Sequence, residues 1–214
     1  MIYTSNHKNF NTSLYKTCAI SGNKGKDANY IGNSCSKLAP KLSFWKVWHD
    51  NIGVIPEEEN IKYYIREYYL QVLKNLKPED IYEELDNSVL LCYEDSNQFC
   101  HRHIVAEWFK LLLNVDVPEI NIVNGCMKEV QRPEYIGKHL EEIMKENTSM
   151  KNFNSLHALY LFEKGNELDS KADSLDDNES ALYNNYRQAA AFLRSEADEA
   201  ETEYINEHLQ KTKK

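Results

Sequence analysis

A nearly continuous apolar run of strand length, Ser88-Val89-Leu90-Leu91-Cys92-Tyr93, restricts the possible folds of this chain more than any other segment. Apolar side chains at consecutive positions leave a strand no face for water, so it belongs inside a sheet covered on both sides. Ile2 to Ser5 and Tyr15 to Ser21 are shorter apolar stretches ended by polar residues, and they are its companion strands. The interval before Ser88 has helical spacing. Pro40 to Asn51 presents Leu42, Trp45, Val47 and Trp48 to a core, and Glu57 to Leu76 carries Ile61, Tyr64, Ile65, Tyr68, Val72 and Leu76 after an acidic first turn. Pro78-Glu79-Asp80 opens a further short helix, with proline where its missing N–H costs nothing. A strand, a long helical crossover and a second strand make a parallel pair.

After the apolar run, His101 to Leu113 places Ile104, Val105, Trp108, Leu111 and Leu112 on one side, so this helix packs back on the sheet. Glu119 to Val123 is expected as a last strand and Pro133 to Lys145 as a last helix. The polar segment Glu146 to Asn152 then leads into sequence with no proline and no glycine after Gly165. Leu156, Leu159, Tyr160 and Glu163 on one arm, and Tyr183, Tyr186, Ala190, Leu193 and Ala197 on the other, form one stripe each, the pattern of a helical hairpin. The expected architecture is α/β: a small parallel Rossmann-like sheet flanked by helices over residues 1–146, with a C-terminal helical hairpin over 152–212.

Charge is divided unevenly. The chain is net −9, yet residues 1–50 hold Lys8, Lys16, Lys24, Lys26, Lys37, Lys41 and Lys46 against only Asp27 and Asp50. An N-terminal positive face would suit a small anionic or nucleotide-like ligand. The acidic remainder argues against long duplex nucleic acid, whose affinity is dominated by phosphate contacts. No run is long and apolar enough for a membrane span, and Met1-Ile2-Tyr3-Thr4-Ser5 has no signal-peptide pattern, so no membrane partner is expected. Five scattered cysteines, Cys18, Cys35, Cys92, Cys100 and Cys126, are an odd set without a disulfide framework. They point to reduced thiols and a cytoplasmic location.

Ligands of parallel α/β folds bind at the carboxyl ends of the strands. Cys92 stands at such an end. The loop Tyr93-Glu94-Asp95-Ser96-Asn97-Gln98-Phe99 then leads to Cys100-His101-Arg102 at a helix start, where free amides and the helix dipole favour an anion. Arg102 is the candidate to grip it, or else it pairs with Glu94 or Asp95. The same environment lowers a thiol's pKa, so Cys100 is the candidate nucleophile with His101 as its base; the alternative is a small capping residue. Glu94, directly after the strand, is a better base than Glu107 on the exposed helix. Ser5 and Ser21 end the other two strands, Lys37 precedes a helix opened by Pro40, and with Cys92, Tyr93 and Arg102 they complete the expected ligand-binding edge. The polar loop Gly22 to Ser34 is long enough to be functional.

Cys92, Cys100, His101 and His103 also form a set of soft metal donors. No Cys-x-x-Cys pair occurs, and His101 and His103 stand two apart on a helix and point apart, so no metal site is assigned from sequence. Phosphate-loop, dinucleotide, nucleophile-elbow and His-Glu-x-x-His motifs are missing from the sequence. No cofactor is named by it.

Leu90-Leu91-Cys92-Tyr93-Glu94, a short loop, then Cys100-His101-Arg102-His103-Ile104-Val105-Ala106-Glu107-Trp108 resembles the signature of domain-of-unknown-function family 488. Tyr3-Thr4-Ser5 and Ser36-Lys37-Leu38-Ala39-Pro40 look like that group too, and the resemblance spans roughly residues 1–125, leaving the hairpin uncovered. It implies an α/β fold with Cys92, Glu94, Cys100, His101 and Arg102 around one pocket, and no activity. The leading expectation is a small-ligand-binding domain, enzymatic if Cys100 attacks. The reading from another class is an interaction protein that assembles as a homo-oligomer through its C-terminal helices.

Overall fold

The computed structural model describes residues 1–10, 15–22, 30–147, 155–175 and 180–211. They form two compact units, Met1–Met144 and Lys145–Lys214. The first is mixed α/β. Strands β1 (Tyr3–Asn6), β2 (Lys16–Ala19), β3 (Asn33–Ser34) and β4 (Ser88–Cys92) make a four-stranded sheet in the order β1-β4-β2-β3, parallel throughout. The apolar run therefore becomes an inner strand, paired on both sides and buried at all five positions. Its register sets Asn6 beside Cys92 and Ala19 beside Leu91, so the carboxyl ends of β1, β2 and β4 share one edge.

Helices α1 (Leu42–Asp50), α2 (Glu57–Gln71) and α3 (Pro78–Glu84) occupy the crossover from β3 to β4. The acidic first turn Glu57, Glu58 and Glu59 complements the α2 dipole, and Ile61, Tyr64, Ile65 and Tyr68 are its buried stripe. Helix α1 differs from expectation. Only Phe44 is buried, whereas Leu42 is 73% exposed and Trp45 and Val47 are also exposed. Phe44 takes the core position by packing edge-on against Tyr64 and Tyr68 of α2, which turns Leu42 and Trp45 away from the core.

Helix α4 (His101–Leu113) packs on β1, β4, α2 and α3 and is buried nearly all round from His101 to Phe109, with Leu111 and Leu112 half-buried. Asn114, left-handed at φ 53°, ends it by returning its N–H to the Lys110 carbonyl. On the other face of β4, Val89 and Leu91 pack with Phe10 and Ile120. The expected last strand, β5 (Ile120–Val123), does not extend the sheet as a full strand. It pairs antiparallel with an unforeseen β6 (Cys126–Glu129), and meets β1 through an isolated bridge from Thr4 to Glu119 rather than a ladder. Asn124 and Gly125 join them at φ 53° and 76°, the pair of left-handed residues that a two-residue hairpin turn requires. Helix α5 (Tyr135–Glu146) follows. The two-residue β3 was also unforeseen. It lies in the long polar loop, of which Asn23 to Asn29 fall outside the described residues.

The second unit contains α6 (Leu156–Asp173) and α7 (Ser180–Lys211), packed as an antiparallel pair. Asp169 meets Arg187 and Arg194, and Ser155, whose hydroxyl caps α6, donates its own N–H to Glu201. The seam is made of small residues. Ala158, Ala172, Ala190 and Ala197 are buried, and a methyl group at Gly165 would come within 3.1 Å of the Ala190 carbonyl. Tyr183 of the expected stripe is exposed. Residues 148–154, 176–179 and 212–214, which include most of the expected polar connection, lie outside the described set. Among the described residues no helix is long and apolar enough to cross a membrane.

Candidate functional site

Because side chains alternate along a strand, Cys92 points away from the Val89 and Leu91 face, towards α2 and α4. The connection from Cys92 to α4 is braced: Gln98 donates to the Asp95 carbonyl, the Asp95 N–H to the Gln98 side chain, and Asn6 Nδ2 to Asp95 Oδ1. This turn carries Glu94 back over the strand end. Cys100 is the extended N-cap of α4 (φ −154°, ψ 146°), and His101 is its first helical residue.

Three segments thus bring four groups together. Cys92 Sγ and Cys100 Sγ lie 3.2 and 2.8 Å from the same oxygen, Glu94 Oε2. His101 Nδ1 lies 3.5 Å from Cys92 Sγ and 3.9 Å from Cys100 Sγ. The other ring nitrogen, Nε2, is 3.0 Å from the Ile20 carbonyl at the end of β2. A carbonyl only accepts, so Nε2 carries hydrogen and Nδ1 faces the sulfurs.

Burial pushes the Cys92 thiol well above its ordinary range, reinforced by Cys100 and Glu94. Burial also acts upward on Cys100, but the hydrogen bond with Cys92, the Arg102 charge and His101 outweigh it and hold this thiol well below the usual range. Glu94 is raised by burial and by Cys100. Burial would lower His101, yet the hydrogen bond and charge of Cys100 and the Ile20 carbonyl raise it. One thiol of the pair is therefore the acidic one, and it is the one at the helix N-terminus.

The cluster forms the floor of a cleft of about 710 Å³. Its walls are aromatic and apolar: Leu42, Trp45 and Trp48 from α1, Tyr64 from α2, and Phe99. Trp48 and Phe99 each set their rings about Tyr64, both at 5.2 Å and nearly edge-on. Ser21 lies at the rim with its Oγ buried and without a hydrogen-bond partner among the described residues.

Of the residues expected from sequence, Ser21, Cys92, Tyr93, Glu94, Cys100 and His101 line the cleft. Ser5, Lys37 and Arg102 do not. Ser5 Oγ donates to the Ile120 carbonyl at 2.5 Å, on the other side of the sheet. Lys37 is exposed and pairs with Glu84 at 2.6 Å. Arg102, one residue past His101, rotates by a helical step to the opposite side of the site and is fully buried against Glu119. Its Nε and Nη2 donate to that carboxylate at 2.9 to 3.2 Å. The expected anion grip is thus occupied by an internal carboxylate, and neither Glu94 nor Asp95 is its partner. Glu107 pairs with Arg132 at 2.7 Å.

Sequence reasoning missed the cleft walls. The available signal was α1, whose apolar residues outnumber what one buried stripe can hold. Searches of family models, curated proteins and solved structures give no match to this chain.

Proposed function

We propose that the α/β unit binds a small molecule carrying a planar, nucleotide-like ring, and that the Cys92, Glu94, Cys100 and His101 cluster is the reacting end of its site. The observation carrying this reading is the junction of an aromatic-walled cleft with four converging ionisable groups at the carboxyl edge of a parallel sheet. Aromatic walls recognise a ring through stacking and edge contacts. The aromatic and apolar lining supports the ring as the part of the ligand that is recognised. Ser21 Oγ supplies a hydroxyl free for a polar edge of the ligand. Both thiols touch Glu94 and His101, and Cys100, the more acidic of the two and at the helix N-terminus, is the group through which chemistry acts. Kinship with domain-of-unknown-function family 488 belongs to the same proposal.

Tryptophan fluorescence titrated with a panel of nucleosides and nucleotides tests it. Saturable quenching by at least one, lost in Trp48→Ala and kept in Cys100→Ala, is the expected result. Failure of every member to quench, or unchanged affinity in Trp48→Ala, overturns the assignment.

A further inference from the structure

We infer that Cys92, Cys100 and His101 bind one zinc ion at the floor of the cleft, with the Glu94 carboxyl beside it. Cys92 Sγ, Cys100 Sγ and His101 Nδ1 all lie within 4.8 Å of one another. With Zn–S near 2.3 Å and Zn–N or Zn–O near 2.1 Å, a tetrahedral site has sulfur-to-nitrogen and sulfur-to-oxygen edges of roughly 3.5 Å. The two sulfur-to-nitrogen separations here are 3.5 and 3.9 Å. Glu94 Oε2, 3.2 and 2.8 Å from the two sulfurs, stands beside these three ligands as a hydrogen-bonding neighbour. When a dication enters, the protons still held on the cluster leave to solvent and both sulfurs bind as thiolates.

Three independent features favour this occupant. Nε2 of His101 is held by the Ile20 carbonyl, which fixes the tautomer and aims the Nδ1 lone pair at the sulfurs, the outer-shell arrangement of metal-bound histidines. Two thiolates and an imidazole are soft donors that select zinc over magnesium or calcium. Cys92 and Cys100 are each 2% exposed, and buried ionisable groups in such proximity gain from a neutralising cation. His103, which the sequence set beside these three as a soft donor, instead faces Glu119 at 3.4 Å and takes no part. The ligands escape a spacing motif because they come from a strand end and a helix start that only the fold juxtaposes.

The inference deepens the reading of the cleft and rests on it only for the step that brings a ring-bearing ligand to the metal. The test uses the full chain, reduced and purified from zinc-supplemented medium. Elemental analysis should give one zinc per chain. Replacement by cobalt(II) should give a thiolate-to-cobalt charge-transfer band in the near ultraviolet and the intense visible bands of a tetrahedral site. Cys92→Ser and Cys100→Ser should each diminish the charge-transfer band, and Glu94→Gln should preserve it while weakening affinity in competition with a chromophoric chelator. Should either serine variant fail to fold, the wild type decides alone: its melting temperature should fall on chelation and recover with zinc. No zinc above background, no charge-transfer band in the wild type, or a band untouched by both serine variants overturns the site. Nucleoside quenching on the same samples separates the two readings: zinc without quenching overturns the cleft proposal alone, and quenching without zinc overturns the metal alone.

Discussion

Residues 100–101 and residues 102–103 are neighbours at the start of one helix, yet they enter opposite kinds of polar environment. Arg102 meets Glu119 as a fully buried ion pair beside His103, away from the cleft. Cys100 and His101 meet Cys92 and Glu94, a group with two thiols, one imidazole and one carboxyl that opens onto an aromatic cleft. The first cluster contains its own counter-charge. The second is a convergence of donors around a common centre, with a half-buried carboxyl and an entrance. Burial of polar groups is therefore insufficient to mark a site; what separates the two is that one holds a buried ion pair and the other opens onto a cleft.

The largest expected effect separates them by stability. Arg102→Ala strands the Glu119 carboxylate in the core and should cost about 3–5 kcal/mol in urea denaturation, whereas Arg102→Met with Glu119→Leu should restore most of it. A loss below that of Cys100→Ala would break the distinction.

Next comes acid. Burial alone would raise the Glu119 carboxyl, but His103 and Arg102 hold it below its ordinary value. A carboxyl with a depressed folded pKa contributes stability that is present above its unfolded value, about 4.3, and is lost as pH falls through the folded value. Denaturation series at descending pH should show this loss in the wild type and a flatter profile in Glu119→Gln.

Measured on metal-free protein, Cys100→Ala should cost only about 1–2 kcal/mol in the same urea assay, since it removes a small buried group and its contacts with Glu94 and His101. It should nevertheless eliminate cobalt charge transfer from this sulfur. The smallest stability effect falls on Ser21→Ala, within roughly 0.5 kcal/mol because no partner is lost, while nucleoside affinity drops several-fold in the fluorescence titration. A change in stability without a change in affinity would remove Ser21 from the site.

Much of this was legible in the chain. The apolar run at Ser88 to Tyr93 required an inner strand, and the helical interval before it required a parallel crossover; both are observed. Asn124-Gly125 was an available hairpin signal that went unused, which is why β6 was unforeseen. The position of Cys92, Glu94, Cys100 and His101 at one strand end followed from local order. Their mutual geometry did not, since it depends on how the Asp95 turn folds back. Arg102 was misplaced because one residue in a helix is a rotation of about 100°, enough to exchange the cleft for the interior. On α1, a surplus of apolar residues looked like core because a pattern cannot distinguish contact with the core from contact with a cavity.

The division of the cleft between elements has a consequence for how such a protein changes over generations. Its floor is anchored to β4, hydrogen-bonded on both sides, and to a helix buried nearly all round, so side chains there have little room to change size. Much of its wall stands on α1, where Leu42 and Trp45 are exposed and only Phe44 is fixed in the core. Under the proposed function, variation can therefore accumulate at Leu42 and Trp45 without disturbing Cys92, Glu94, Cys100 and His101 beneath, and ligand preference would drift among descendants of this chain while those four groups stay the same.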